Sequence, residues 1–115
     1  MARPRKCRRV CCMPSNQKFG PLGNDGEKRP VTAMTIDEYE AIRLIDLERL
    51  SQEECAERMN VARTTAQAIY NSARIKLAEF LVNGTVLSIM GGDYALCDGG
   101  HSGCGCARCH KRGCL

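Results

Sequence analysis

The chain has 115 residues, a net charge of +4, 43% hydrophobic side chains, no tryptophan, three tyrosines and two phenylalanines. That allows one small, mainly aliphatic core and leaves no room for a second domain of similar size. The charged start "MARPRKCRRV" leads into no apolar run and no stretch reaches membrane-spanning length, which argues against a targeting leader and a membrane partner and for a cytoplasmic protein.

Thiols stay reduced in that compartment, so nine cysteines read as metal ligands or redox thiols rather than a disulfide framework. Charge is unevenly spread. Residues 1–30 carry eight Lys/Arg against two acids, residues 35–58 three against eight, and residues 59–84 three against one. A basic arm, an acidic middle and a mildly basic following segment suit a polyanion met by particular faces.

Residues 1–34 form a basic, cysteine-containing arm punctuated by Pro, Gly and Asn, in which only "CRRVCCM" has the makings of a short strand. The character changes at "TIDEYEAIRLIDLERL". Thr35 and Glu38 have the spacing of a capping box, and Asp37 sits where the helix dipole favours negative charge. Ile36, Tyr39, Ile42 and Ile45 recur at helical spacing, and Leu44 and Leu47 widen the apolar face. Ser51 opens a second, short helix with Glu54 as its box partner, and Asn60 suits a tight left-handed turn after it. "RTTAQAIYNSARIKLAEFLVNG" is a long third helix stopped at Asn83-Gly84. Residues 85–96, with two apolar runs around Gly91-Gly92, suggest a small hairpin. The expected fold is therefore mainly α: a compact helix-turn-helix domain over residues 35–84 with a long third helix, a hairpin and irregular cysteine-rich termini.

The helix-turn-helix reading rests on which residues fall where. Ala56 lies mid-helix, where only a small side chain lets two helices cross closely. Cys55, Met59, Val61, Ala66 and Ile69 occupy the positions that must be apolar, which makes Cys55 a small buried hydrophobe. Arg63, Thr64, Gln67, Asn71 and Arg74 are left on the outward face of the third helix. Arg can read guanine, Gln or Asn can read adenine, and Thr can contact phosphate or base in the major groove of double-stranded DNA. Arg3, Arg5, Lys6, Arg8 and Arg9 would follow phosphates or enter the minor groove. Ala62 stands where a polar cap is expected, a loss of roughly 1 kcal/mol. A homodimer reading paired half-sites would fit so small a domain, with the hairpin a candidate dimer face.

The ordered run "RPRKCRRV", "FGPLG", "DEYEAIRLIDLE", "SQEECAERMNVARTTAQAIYNSARIKLAEFLVNG" and "GGDY" resembles a prokaryotic family of small uncharacterised proteins over roughly residues 2–95. That family is described as DNA-binding, with a helix-turn-helix similar to region four of sigma factors. The resemblance implies a role in transcription and carries the helix-turn-helix contacts onto Arg63, Thr64, Thr65, Gln67 and Asn71.

The tail, residues 97–115, lies largely outside those motifs. Cys97, Cys104, Cys106, Cys109 and Cys114, with His101 and His110, are set among glycines that permit tight wrapping around one soft cation. Zinc would take four of the seven groups, an iron–sulfur cluster four thiolates, and copper(I) is a third option. A redox-sensitive tail without a metal is the alternative. Cys7, Cys11 and Cys12 could complete a site if the termini meet.

These features favour a sequence-specific transcriptional regulator, metal- or redox-responsive through its tail. The rival is a metal-binding adaptor or metal carrier that docks on a protein through its acidic helices. An enzyme finds no support: there is no nucleophile–base spacing and no phosphate-cradling glycine loop, and both histidines lie in the tail.

Overall fold

The computed structural model describes residues 8–23 and 28–96. In chain order the elements are β1 (Arg8–Val10), β2 (Lys18–Phe19), β3 (Val31–Met34), α1 (Ile36–Ile42), a π-helical turn (Arg43–Leu47), α2 (Gln52–Met59), α3 (Arg63–Asn83), β4 (Val86–Ile89) and β5 (Tyr94–Leu96).

Both expected capping boxes form. The Thr35 hydroxyl accepts from the Glu38 amide while the Glu38 carboxylate accepts from the Thr35 amide, and Ser51 and Glu54 repeat the arrangement. Asn60 ends α2 in the left-handed conformation at φ 59°, and Gly84 ends α3 at φ 65°. The first helix departs from expectation at its C-terminal end. The Glu48 amide donates to the Arg43 carbonyl, five residues back, so the helix widens. The extra residue shifts the phase of everything after it. Leu44 is buried, yet Leu47, expected on the apolar face, is 61% exposed.

Two apolar clusters hold the molecule together. Ala41, Leu44, Cys55, Ala56, Met59, Ala66, Ile69 and Tyr70 join the three helices. Val10, Met34, Ile36, Ala73, Leu87 and Ile89 join α1 and α3 to the strands. Of the five positions expected to be apolar and packed, Cys55, Met59, Ala66 and Ile69 are buried and Val61 is half-buried. Burial among apolar neighbours pushes the Cys55 thiol up to about 11, the behaviour of a core residue rather than a ligand.

The mainly-α expectation is correct only in part, because five strands frame the helices. β2, β4 and β3 form one sheet in that order, with β2–β4 antiparallel and β3–β4 parallel, and β1 pairs β5 in parallel. Parallel strands need a long crossover, and here the whole helical unit between β3 and β4 is that crossover. The expected hairpin over residues 85–96 does not form: β4 and β5 belong to different sheets. Gly91 and Gly92, at φ 77° and 98°, turn the chain over the start of α1, where the Ile36 amide donates to the Gly91 carbonyl. A Cβ at Gly92 would lie 2.5 Å from Asp37 Oδ1, so only glycine fits.

A second contact ties α1 to α3. Glu38 is buried, with Oε1 accepting from Lys76 Nζ (2.7 Å) and Oε2 from the Ser72 hydroxyl (2.6 Å). Burial alone would raise the Glu38 pKa, but the hydrogen bonds from Lys76, Ser72 and the Thr35 amide, with the Lys76 charge, hold it below its ordinary value. A carboxyl whose pKa is lower folded than unfolded adds stability above its unfolded value, and that stability is lost as pH falls through the folded value. Glu38→Gln should therefore flatten the acid limb of the stability–pH profile below about pH 4.5, read from urea midpoints across that range. An unchanged acid limb would remove the pair as its source.

Candidate nucleic-acid interface

α3 presents its polar side chains as one face. Arg63, Thr64, Gln67, Asn71 and Arg74 are all exposed, whereas Thr65 is half-buried. At 100° per residue, Arg63, Gln67, Asn71 and Arg74 fall within about 80° of one another, and they extend over roughly 16 Å of helix. The helix begins without a side-chain cap at Ala62 and without an acidic residue in its first turn. Its positive dipole end is therefore offset by no carboxylate of its own first turn.

Arg74 is already positioned by the protein. Its guanidinium lies over the Tyr70 ring, 5.5 Å from the centroid, and donates to the Tyr70 hydroxyl at 2.7 Å. That hydroxyl in turn donates to Asp46 Oδ1 at 2.8 Å. The relay fixes the direction of the Arg74 guanidinium at the surface of α3.

The basic arm divides in two. Arg3, Arg5 and Lys6 lie outside the described residues, but Arg8 and Arg9 form the start of β1. Arg8, expected among the arm's DNA contacts, faces acidic partners: its Nη1 lies 3.4 Å from Asp93 Oδ2 and 4.0 Å from Asp37 Oδ2, with the side chain 13% exposed. Strand pairing with β5 turns it inward to staple the Gly92 turn to α1. Arg9, the next residue, points the opposite way along the strand. With Arg58 at the end of α2 and Arg63 at the start of α3, it lines a groove of about 710 Å³ beside the turn between α2 and α3. Sequence reasoning missed Arg58, whose position in the last turn of α2, two residues before Asn60, was the available signal. Glu53 and Glu57 form another wall of this groove.

The acidic first helix is largely internal. Asp37, Glu38 and Glu40 are buried, and Glu40 accepts from Arg43 through both oxygens at 2.8 Å and from the Cys11 amide at 3.1 Å. Among the described residues, the exposed acidic helical face is that of α2, with Glu53, Glu54 and Glu57. The expected metal ligands Cys97, His101, Cys104, Cys106, Cys109, His110 and Cys114, together with Cys7, lie outside the described residues. Among the described residues no group of three or more His, Cys, Asp or Glu side chains could hold a metal ion, and no helix is long and apolar enough to cross a membrane.

Comparison with known proteins gives consistent matches. The UPF0251 protein of Desulfitobacterium hafniense strain Y51 is 62% identical over 113 residues, covering 97% of this chain and 89% of the relative. A UPF0251 protein of Thermoanaerobacter pseudethanolicus is 48% identical over 98 residues, 85% of this chain and 83% of the relative. One from Caldicellulosiruptor bescii is 42% identical over 111 residues, 96% and 75% respectively. No solved structure matches. The model of the family described as "Protein of unknown function DUF134" matches residues 1–97, in line with the expected extent of the resemblance. With that match and these identities, the chain belongs to the DUF134 (UPF0251) family.

Proposed function

We propose that this protein is a sequence-specific DNA-binding regulator of transcription, with α3 in the major groove of double-stranded DNA. The observation that carries this reading is the exposed Arg63–Thr64–Gln67–Asn71–Arg74 face on a helix whose N-terminus is uncapped and free of acids. The side chains on that face are those that pair with guanine and adenine edges or with phosphate. Arg9, Arg58 and Arg63 around the turn, with Arg3, Arg5 and Lys6 preceding them in the chain, add phosphate contacts. The C-terminal cysteines and histidines bind a soft metal, zinc before an iron–sulfur cluster, and make binding metal- or redox-responsive.

Selection of genomic fragments by protein purified without oxygen, with and without a strong chelator, tests both halves. Enrichment of a few sites, with affinity that falls steeply with salt, is the expected result. Loss of enrichment with chelator would link the tail to DNA binding. Paired half-sites one helical turn apart would report a dimer. Failure to enrich any sequence would move the assignment to the second reading, a metal-binding adaptor or carrier docked through the exposed Glu53, Glu54 and Glu57 of α2. Reversing those three charges should abolish that docking and leave DNA binding intact.

A further inference from the structure

We propose that two copies of this chain pair through the second half of α3, antiparallel, about a two-fold axis level with the Leu77–Ala78 peptide. The pairing surface is a face of the long helix rather than residues 85–96.

α3 changes character along its length. Its first half exposes Arg63, Thr64, Gln67, Asn71 and Arg74, but residues 75–82, "IKLAEFLV", carry only two ionisable groups, Lys76 and Glu79. Leu77 and Phe80 pack against the cluster that contains Leu87 and Ile89. At 100° per residue, Ile75, Ala78 and Val82 fall within about 60° of one another, nearly opposite the buried Ala66, Ile69 and Ala73. On this outer side Ile75 is 65% exposed and Val82 82%, with Leu81 beside them at 74%. A helix that is apolar on both faces is normally covered on both. The three-then-four spacing of Ile75, Ala78 and Val82 is that of a seam along which helices mesh. Leu22, 95% exposed, extends the patch, since Pro21 Cγ lies 4.0 Å from a Cβ placed on Gly84 at the end of α3.

Charge and area make the occupant a second copy. Lys76 and Glu79 share one flank of the stripe, within about 60° of each other. With the axis between them, an antiparallel copy sets each Glu79 beside the partner's Lys76, two opposite-charge contacts from one self-complementary surface. Glu79 is exposed, and Lys76 gives one donor to Glu38 at 2.7 Å, which leaves an ammonium group two more. The same axis seats Ile75 between the partner's Ala78 and the partner's Val82, where the small Ala78 lets the helices approach. Ile75, Leu81, Val82 and Leu22 offer roughly 300 Å² of apolar surface per copy. A standard interface uses about 450 Å² of apolar surface per partner, so the pair is a reversible dimer rather than an obligate one. The polar face of α3 lies about 60° round the helix on the other flank, so the two-fold puts both such faces on one side. Their Gln67 residues are then about 32 Å apart, close to the roughly 34 Å between half-sites one turn of DNA apart. Only this last consequence rests on the DNA-binding reading.

The test is sedimentation velocity on the full-length chain over a wide range of concentration, reduced and without oxygen so that no disulfide links two copies. The expected result is a reversible monomer–dimer equilibrium in the micromolar range. Val82→Glu and Ile75→Glu should each weaken it by on the order of 100-fold, because every dimer loses the contact twice and gains two buried charges. Both side chains are exposed, so the unfolding midpoint of the monomer should hold. Leu96→Glu, on β5 and 47% exposed in the unmutated chain, should leave association unchanged. Glu79→Lys should weaken it by roughly tenfold, since it sets like charges beside the partner's Lys76. In a parallel pair Glu79 would face the partner's Glu79, and the same change would leave like charges opposed as before. A monomer at every concentration, or a dimer that Val82→Glu and Ile75→Glu leave intact, would overturn the pairing. Unchanged association in Glu79→Lys would overturn its antiparallel arrangement. A dimer with these sensitivities in a protein that enriches no DNA sequence would uphold the pairing and remove the DNA-binding reading alone.

Discussion

Replacing Arg63 and Gln67 together by alanine should lower affinity for a selected DNA site by roughly 100-fold or more, because each bidentate base contact discriminates by about 1–3 kcal/mol. Both side chains are exposed and neither contributes to the apolar clusters, so the unfolding midpoint should stay where it is. The loss should concentrate on particular base pairs of the site. Arg58→Ala should act differently, weakening all sequences about equally and reducing the salt slope by about one, since Arg58 lies at the groove beside the turn rather than on α3. Fluorescence anisotropy with specific and scrambled duplexes at two salt concentrations separates the two behaviours. Full affinity in the Arg63→Ala, Gln67→Ala double variant would remove α3 as the reading element.

Glu40→Ala should cost about 3–5 kcal/mol of folding stability, the usual penalty for deleting one partner of a buried ion pair. Its side chain is 3% exposed and that of Arg43 14%, so solvent can do little to replace the lost bonds. Three donors lose their acceptor at once: Nε and Nη2 of Arg43 and the amide of Cys11. Arg43 keeps Glu48 at 3.2 Å, which holds the loss to the lower part of the range. The Cys11 amide loses the bond that ties the end of β1 to α1, so β1 should loosen from α1 first. Denaturant unfolding measures the total, and hydrogen exchange at Cys11 locates it. A cost below about 1 kcal/mol would place this carboxylate with exposed surface pairs, which contribute little.

What could be read in the sequence follows from how local the cause is. Thr35–Glu38 and Ser51–Glu54 are separated by three residues, and the capping bonds they make depend on almost nothing else. The same holds for the left-handed Asn60 and Gly84, and for the packing positions of α2 and α3, which lie within fifteen residues of one another. The face of α3 that carries Arg63, Gln67 and Asn71 follows from helical periodicity once the buried stripe of Ala66, Ile69 and Ala73 is known.

The rest depends on partners that only the folded chain assembles. Arg8 and Arg9 look alike in the sequence, yet strand pairing with residues 94 and 95 turns the first onto Asp93 and Asp37 and the second toward the turn. Glu38 and Glu40 read as an acidic surface until Lys76, Ser72, Arg43 and Cys11 close over them. The apolar runs around Gly91-Gly92 suggest a hairpin because a local pattern cannot show that β4 has better partners in residues 18–19 and 31–34. The sequence by itself determined the helices, their caps and the composition of the exposed face of α3, because their causes act over three to seven residues. The tertiary structure alone decided which charges remain outside and that the strand before Cys11 runs beside the strand before Cys97, because nearly all of those pairings join residues about thirty or more positions apart.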